Sequence, residues 1–309
     1  MKLTSKVKKI LSYYESDNPG TKANLARMLM HGKLRGTGKL LILPVDQGFE
    51  HGPARSFAVN EPAYDPHYHF QMAIDAGLNA FAAPYGLLEA GAATYAGAVP
   101  LILKLNSSNS LAAKTLQPDQ AITSSVKDAL RLGCCAVGVT IYPGSERFGE
   151  MLEEAREVIY EARHHGLACV VWAYPRGGEL EKSMETALDI VAYGAHIAVS
   201  LGAHIVKVKL PTDYIAQSSA RPFYEGHFAS LSGRVAHIMR CCFSSRRLVV
   251  FSGGASKEPS ELYREVTAIR EGGGNGSIIG RNIFQRSRET ALKMLNDIIS
   301  IYLGKNLNL

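Results

Sequence analysis

The stretch AHIVKVKL, residues 203–210, places Lys207 and Lys209 two positions apart in an otherwise apolar run. Side chains alternate along a strand, so residues i and i+2 share a face. Val206 and Val208 therefore point one way and both ammonium groups the other. On a solvated face the pair would be ordinary. Turned into a barrel interior, a lysine can become a nucleophile, because desolvation and a second cation both lower its pKa. Such an amine condenses with a ketone, and the iminium that results is an electron sink for breaking a carbon–carbon bond. That chemistry needs a proton carrier, a carboxylate and a grip on the substrate beside the amine.

The elements that would position such a set are legible as eight short apolar runs. They lie at 40–48, 78–84, 100–106, 135–145, 167–178, 204–210, 248–254 and 276–282. Each is of strand length and nearly continuously apolar, as in parallel strands buried on both faces. Segments with helical spacing alternate with them, at 149–166, 186–202, 260–273 and 287–304. In the first, Met151, Leu152, Ala155, Val158 and Ile159 form the apolar stripe; in the last, Ser287 is placed to N-cap the helix. Eight β–α alternations predict an α/β fold, a (β/α)8 TIM barrel. The rival, a doubly wound open sheet, would be expected to carry GxGxxG after its first strand, and none is present. Residues 1–38 precede the first strand and predict an N-terminal helical extension, with 39–309 as the barrel domain.

Active sites of this fold form at the carboxyl ends of the strands. Those ends carry Asp46, Lys104 with Asn106, Tyr142, Trp172, Tyr174, Arg176, the two lysines, Ser252-Gly253-Gly254 and Gly280-Arg281-Asn282. The amino ends are mostly apolar or small. SGG and GRN follow strands 7 and 8, where barrels commonly bind phosphate. Glycine lets backbone N–H groups approach an anion, and Arg281 adds a charged fork. Trp172, the single tryptophan, fits core filling and a substrate wall equally well. Tyr174 shares its face, and a buried phenol needs a polar partner. Of the ten histidines only His51 lies just beyond a strand end, so no converging imidazoles suggest a metal. No cofactor cradle is visible either. Lysine, tyrosine, aspartate and phosphate binders together suit Schiff-base chemistry on a phosphorylated ketone. Position along the strand favours Lys209 as the amine, because it is nearer the carboxyl end.

Composition bounds the partners. The chain has 309 residues, 46% hydrophobic and 20% charged, with a formal net charge of +6. That excess suits an anionic small molecule. The densest basic cluster, RCCFSSRR at 240–247, reads as a solvated helix end rather than a nucleic-acid patch. Five cysteines, four of them in two vicinal pairs in apolar contexts, are expected to be buried thiols in a reducing compartment. No apolar run reaches about 18 residues, so no membrane span is expected, and a cytoplasmic location follows as the expectation.

LPVDQGFEHGP, VPLILKLN, VGVTIYPGS, VVWAYPRGG, GAHIVKVKL, FSGG and IIGRNIFQR, in this order from about residue 36 to the C-terminus, resemble the archaeal-type (DhnA-type) class I fructose-bisphosphate aldolases. The extension and the LPVDQG form resemble the bacterial branch. The resemblance implies a metal-independent barrel that cleaves fructose 1,6-bisphosphate to dihydroxyacetone phosphate and glyceraldehyde 3-phosphate. It implies Lys207 as the Schiff-base lysine, Tyr174 as general acid/base and Asp46 as the carboxylate near the reacting carbons. Trp172 would shape the site; the second cation that lowers the amine's pKa is expected, apart from the resemblance, from Lys104 and the 207/209 pair. Ser252, Gly253, Gly254, Gly280 and Arg281 would bind one phosphate and Arg176 the other. A homo-oligomer is implied, decamers being common in the family. The connection at 211–228 is longer than the archaeal one. Two alternatives are a related lysine enzyme with transaldolase- or thiolase-like chemistry and a non-catalytic sugar-phosphate binder.

Overall fold

The eight apolar runs form eight parallel strands that close on themselves in chain order: β1 (Leu40–Pro44), β2 (Ala80–Pro84), β3 (Leu101–Lys104), β4 (Ala136–Ile141), β5 (Ala168–Ala173), β6 (Ile205–Val208), β7 (Leu248–Ser252) and β8 (Gly276–Ile278). β8 returns to β1 with Gly276 beside Leu40. This is the computed structural model of the chain, and it describes residues 2–113, 115–224, 228–254 and 256–305. Residues 225–227 of the long connection after β6 lie outside the described residues. The (β/α)8 expectation holds.

Strand parity divides the core in two. Leu41, Phe81, Leu103, Val139, Val171, Val206 and Phe251 face the surrounding helices. Leu40, Ile42, Ala82, Ile102, Val170, Ile205 and Val250 face inward. Both sets are fully buried, which is why the strands read as continuous apolar runs rather than alternating ones. The expected helices are present as Phe148–His164, Leu188–Ser200, Pro259–Glu271 and Arg288–Tyr302. Ser287 caps the last, its hydroxyl accepting the Thr290 N–H at 3.4 Å.

The extension forms two helices, Ser5–Ser12 and Pro19–Leu29. Thr4 and Asn18 cap them, each accepting a backbone N–H three residues on. Val7, Ile10, Tyr14, Leu25, Met28 and Leu29 pack with the inward barrel residues as one cluster, stopping the barrel at its amino end. The Tyr14 hydroxyl donates to the His204 carbonyl at 2.6 Å and accepts the Leu248 N–H at 3.2 Å, joining the plug to β6 and β7.

Candidate active site

With the amino end plugged, the interior opens at the carboxyl end into a cavity of about 260 Å³. Asp46, Tyr174, Arg176, Lys207, Lys209, Ser252, Gly253, Gly254, Gly280 and Arg281 line it. Trp172 and Lys104, also expected in the site, lie beneath its floor, each about 1% exposed. Trp172 pairs in register with Lys207 across β5 and β6, and its ring packs against the amine. Gly138 on β4 makes room for it: a Cβ there would come within 2.2 Å of Trp172 Cζ3. Lys104 is held down by its own strand end, its Nζ donating to the Asn106 carbonyl at 2.6 Å. Asn106, another strand-end candidate, is structural, exchanging hydrogen bonds with the Thr140 backbone at 2.7 and 2.8 Å.

Parity puts Lys207 of β6 and Lys209, just past its end, on the inner face, but their surroundings differ. Lys207 Nζ lies 5.2 Å from the Trp172 ring centroid and 5.4 Å from that of Tyr174. Among the described residues no carboxylate pairs with it directly. Burial is the largest influence and carries its pKa down to about 8, with Asp46 and Glu50 opposing and Arg281 and Arg176 assisting. Lys209 instead donates to Glu185 Oε2 at 2.6 Å; burial draws its pKa below the ordinary lysine value as well, but Glu185 opposes the shift through a direct ion pair. The amine without an ion-pair partner among the described residues is therefore the deeper one, although position along the strand favoured the outer. The second cation that sequence reasoning assigned to Lys104 and Lys209 is supplied chiefly by the two arginines.

Burial also raises the Tyr174 phenol, followed by Asp46 and Glu50, while Ser252 hydrogen-bonds it and works the other way. A neutral phenol is thus maintained beside the amine. Asp46 Oδ1, Gln47 Oε1 and Arg176 Nε have no hydrogen-bond partner among the described residues, and all three belong to cavity residues. Buried polar atoms of this kind are normally satisfied, so they mark where a polar ligand would bond.

The glycine turns after β7 and β8 are tied together. Asn282, fully buried, donates to the Gly253 carbonyl at 3.1 Å and accepts the Lys257 N–H at 3.0 Å. Gly254 has φ of +69°, and a Cβ on Gly280 would lie 2.6 Å from the Pro44 carbonyl oxygen. The Asn of GRN thus fixes the turn, while Arg281 faces the cavity.

Sequence reasoning missed Glu50, Gln47, Thr186 and Glu185. Glu50 lines the cavity four residues after Asp46 on the short helix Gln47–His51, and that i, i+4 spacing was the available signal. Its carboxyl is pushed up first by burial and then by Asp46. Glu185 lies far along the connection after β5, where no strand-end rule points. Among the described residues no three His, Cys, Asp or Glu side chains gather as metal ligands, and no helix is long and apolar enough to cross a membrane.

The family described as DeoC/LacD family aldolase matches residues 40–286. A probable fructose-bisphosphate aldolase class 1 of Chlamydia muridarum is 34% identical over 313 residues, 96% of this chain and 89% of that protein. A fructose-bisphosphate aldolase class 1 of Thermoproteus tenax is 38% identical over 272 residues, 87% of this chain and 92% of its own. A solved archaeal fructose-1,6-bisphosphate aldolase, its catalytic lysine covalently bound to the carbinolamine intermediate of the substrate, matches with a TM-score of 0.73. Its sequence identity is 34%, over 86% of this chain and 94% of that one. The chain therefore belongs to the DeoC/LacD family of aldolases, among the class 1 fructose-bisphosphate aldolases.

Proposed function

We propose that the protein is a Schiff-base aldolase that reversibly cleaves fructose 1,6-bisphosphate into dihydroxyacetone phosphate and glyceraldehyde 3-phosphate. The observation that carries this reading is the amine of Lys207, buried under Tyr174 with a pKa of about 8 beside an ion-paired Lys209. The neutral amine adds to the C2 carbonyl carbon. Tyr174 gives its proton to the hydroxyl leaving the carbinolamine, so that water departs and the iminium forms. The phenolate left behind takes the proton of the C4 hydroxyl. The C3–C4 bond breaks, its electron pair enters the iminium as an enamine, and the aldehyde departs. Protonation at C3 and hydrolysis return the ketone and the free lysine. Asp46, its Oδ1 unpartnered, is placed to accept from a substrate hydroxyl during these steps.

In this reading the glycine turns and Arg281 hold the phosphate near the carbonyl, and Arg176 with Lys209 holds the other. Self-association belongs to the same reading. An apolar cavity of about 630 Å³ between the helices Phe148–His164 and Leu188–Ser200 gives it a surface, with Phe148 and Tyr193 more than half exposed.

The test is a coupled assay for triose phosphate release, followed by borohydride reduction in the presence of fructose 1,6-bisphosphate and mass spectrometry of the digest. Turnover that survives EDTA and an adduct on Lys207 are expected, with both lost in Lys207→Ala. Binding without turnover would leave a sugar-phosphate binder. An adduct on Lys209 or Lys104 would assign the wrong amine.

A further inference from the structure

At the mouth of the cavity one carboxylate gathers three cations. Glu185 is about 9% exposed at its side chain, and its Oε2 accepts from Lys209 Nζ at 2.6 Å and Lys182 Nζ at 2.9 Å, with Arg176 Nε at 3.8 Å. Lys182 also reaches Oε1 at 3.0 Å. Lys209 and Arg176 face the cavity, whereas Lys182 is 81% exposed on the outer rim. The neighbouring Thr186 lines the cavity, and its carbonyl accepts the Thr212 N–H at 2.8 Å. The cluster is thereby fastened to the long connection after β6. Three cations and one carboxylate leave a net charge of two, the charge of a phosphate dianion. No step of the aldol chemistry uses Glu185.

We propose that Glu185 is a specificity-determining carboxylate: it sets the charge of the Arg176–Lys182–Lys209 cluster to match a phosphate dianion and yields Lys209 and Arg176 to the phosphate farther from the carbonyl. This rests on the aldolase reading. The farther phosphate is the one meant because of where the cluster stands. Ser252 of the glycine turn hydrogen-bonds Tyr174, whose ring is 5.4 Å from Lys207 Nζ, so that turn adjoins the amine. Lys209 is two residues, roughly 6.5 Å, farther out along the strand. Both the site charge and the competition for Lys209 depend on one ionised oxygen pair, and the charge effect is large because the group is shielded from water.

The prediction is read as the ratio of kcat/KM for fructose 1,6-bisphosphate to kcat/KM for fructose 1-phosphate, which lacks the farther phosphate. Glu185→Gln raises the cluster charge to three, and the ratio should rise about fivefold or more through a lower KM for the bisphosphate. Lys209→Met lowers the charge to one, and the ratio should fall about tenfold. The double variant Glu185→Gln/Lys209→Met restores a charge of two, and its ratio should return to within about threefold of the wild type. It removes the buried carboxylate together with its closest cation and leaves Arg176 and Lys182, both partly exposed to water, so it decides the matter even where a single variant fails to fold. A Glu185→Gln ratio that is unchanged or lower, or a double variant no better than Lys209→Met, overturns the proposal. A wild-type protein that cleaves neither sugar phosphate overturns the aldolase reading itself.

Discussion

At Lys207, burial lowers the amine's hold on its proton, Asp46 and Glu50 strengthen it, and Arg281 and Arg176 weaken it, leaving a value of about 8. The sign of the pH dependence follows. Below that value the amine is an ammonium ion and cannot attack, and each unit of pH lost removes about tenfold of the neutral form. The rate of borohydride-trapped adduct should therefore climb about tenfold per unit between about pH 6 and 7.5 and level off above about 8.5. A flat profile over that interval would mean that the amine is neutral already, or that a different group limits trapping. Tyr174 does not set this limb, because burial and two carboxylates keep its phenol protonated well past that range. At this scale the types of residue were legible and their surroundings were not. Parity alone brought Lys207 and Lys209 to one face. What separates them is Glu185, a residue of another connection, and no spacing in the sequence announces that contact.

Element by element, the barrel was readable because both faces of every strand are buried, one by helices and one by the interior layers, so each strand is a continuous apolar run. Depth was harder to read. Trp172 and Lys104 obey the same parity as the cavity residues yet do not line the cavity, for Trp172 is packed against Lys207, its partner in register, and the Lys104 amine is spent on the Asn106 carbonyl. Gly138 shows how one strand sets another. Its missing Cβ is the space into which the Trp172 ring projects, and Trp172 in turn supports Lys207. Gly138→Ala should push the ring upward, costing roughly 1–3 kcal/mol of stability by overpacking. It should also lower kcat/KM at least about tenfold, since a displacement near 1 Å at the amine is enough for that. Far-UV circular dichroism should stay native. If turnover of the variant stays within about twofold of the wild type, Trp172 does not position the amine.

For the whole molecule, the extension and the barrel are one packed body. The helices of residues 1–38 fill the end of the barrel opposite the cavity, and their attachment includes a buried ionic contact. Asp17 forms an ion pair with Arg163, Oδ1 to Nη2 2.7 Å, and faces His204 Nε2 at 3.1 Å, at the foot of the strand that carries Lys207. His204 Nδ1 accepts the Cys169 N–H at 2.9 Å, which leaves Nε2, the nitrogen facing Asp17, to carry the ring proton. Burial acts to raise the Asp17 pKa, but His204 and Arg163 together outweigh it and hold the carboxyl below its ordinary value of 3.8. A carboxyl depressed by folding contributes stability that is complete above the unfolded pKa and disappears as pH falls through the folded one. Wild-type thermal stability should accordingly drop as the pH goes from about 5 to below about 3, with this contact among the losses. Asp17→Asn keeps the shape and removes the charge. Its melting temperature should be lower at pH 7, and the gap to the wild type should narrow on acidification. Melting curves that stay a constant distance apart over that range would show that the extension is held by its apolar face and its neutral hydrogen bonds, with the ion pair contributing nothing that titrates.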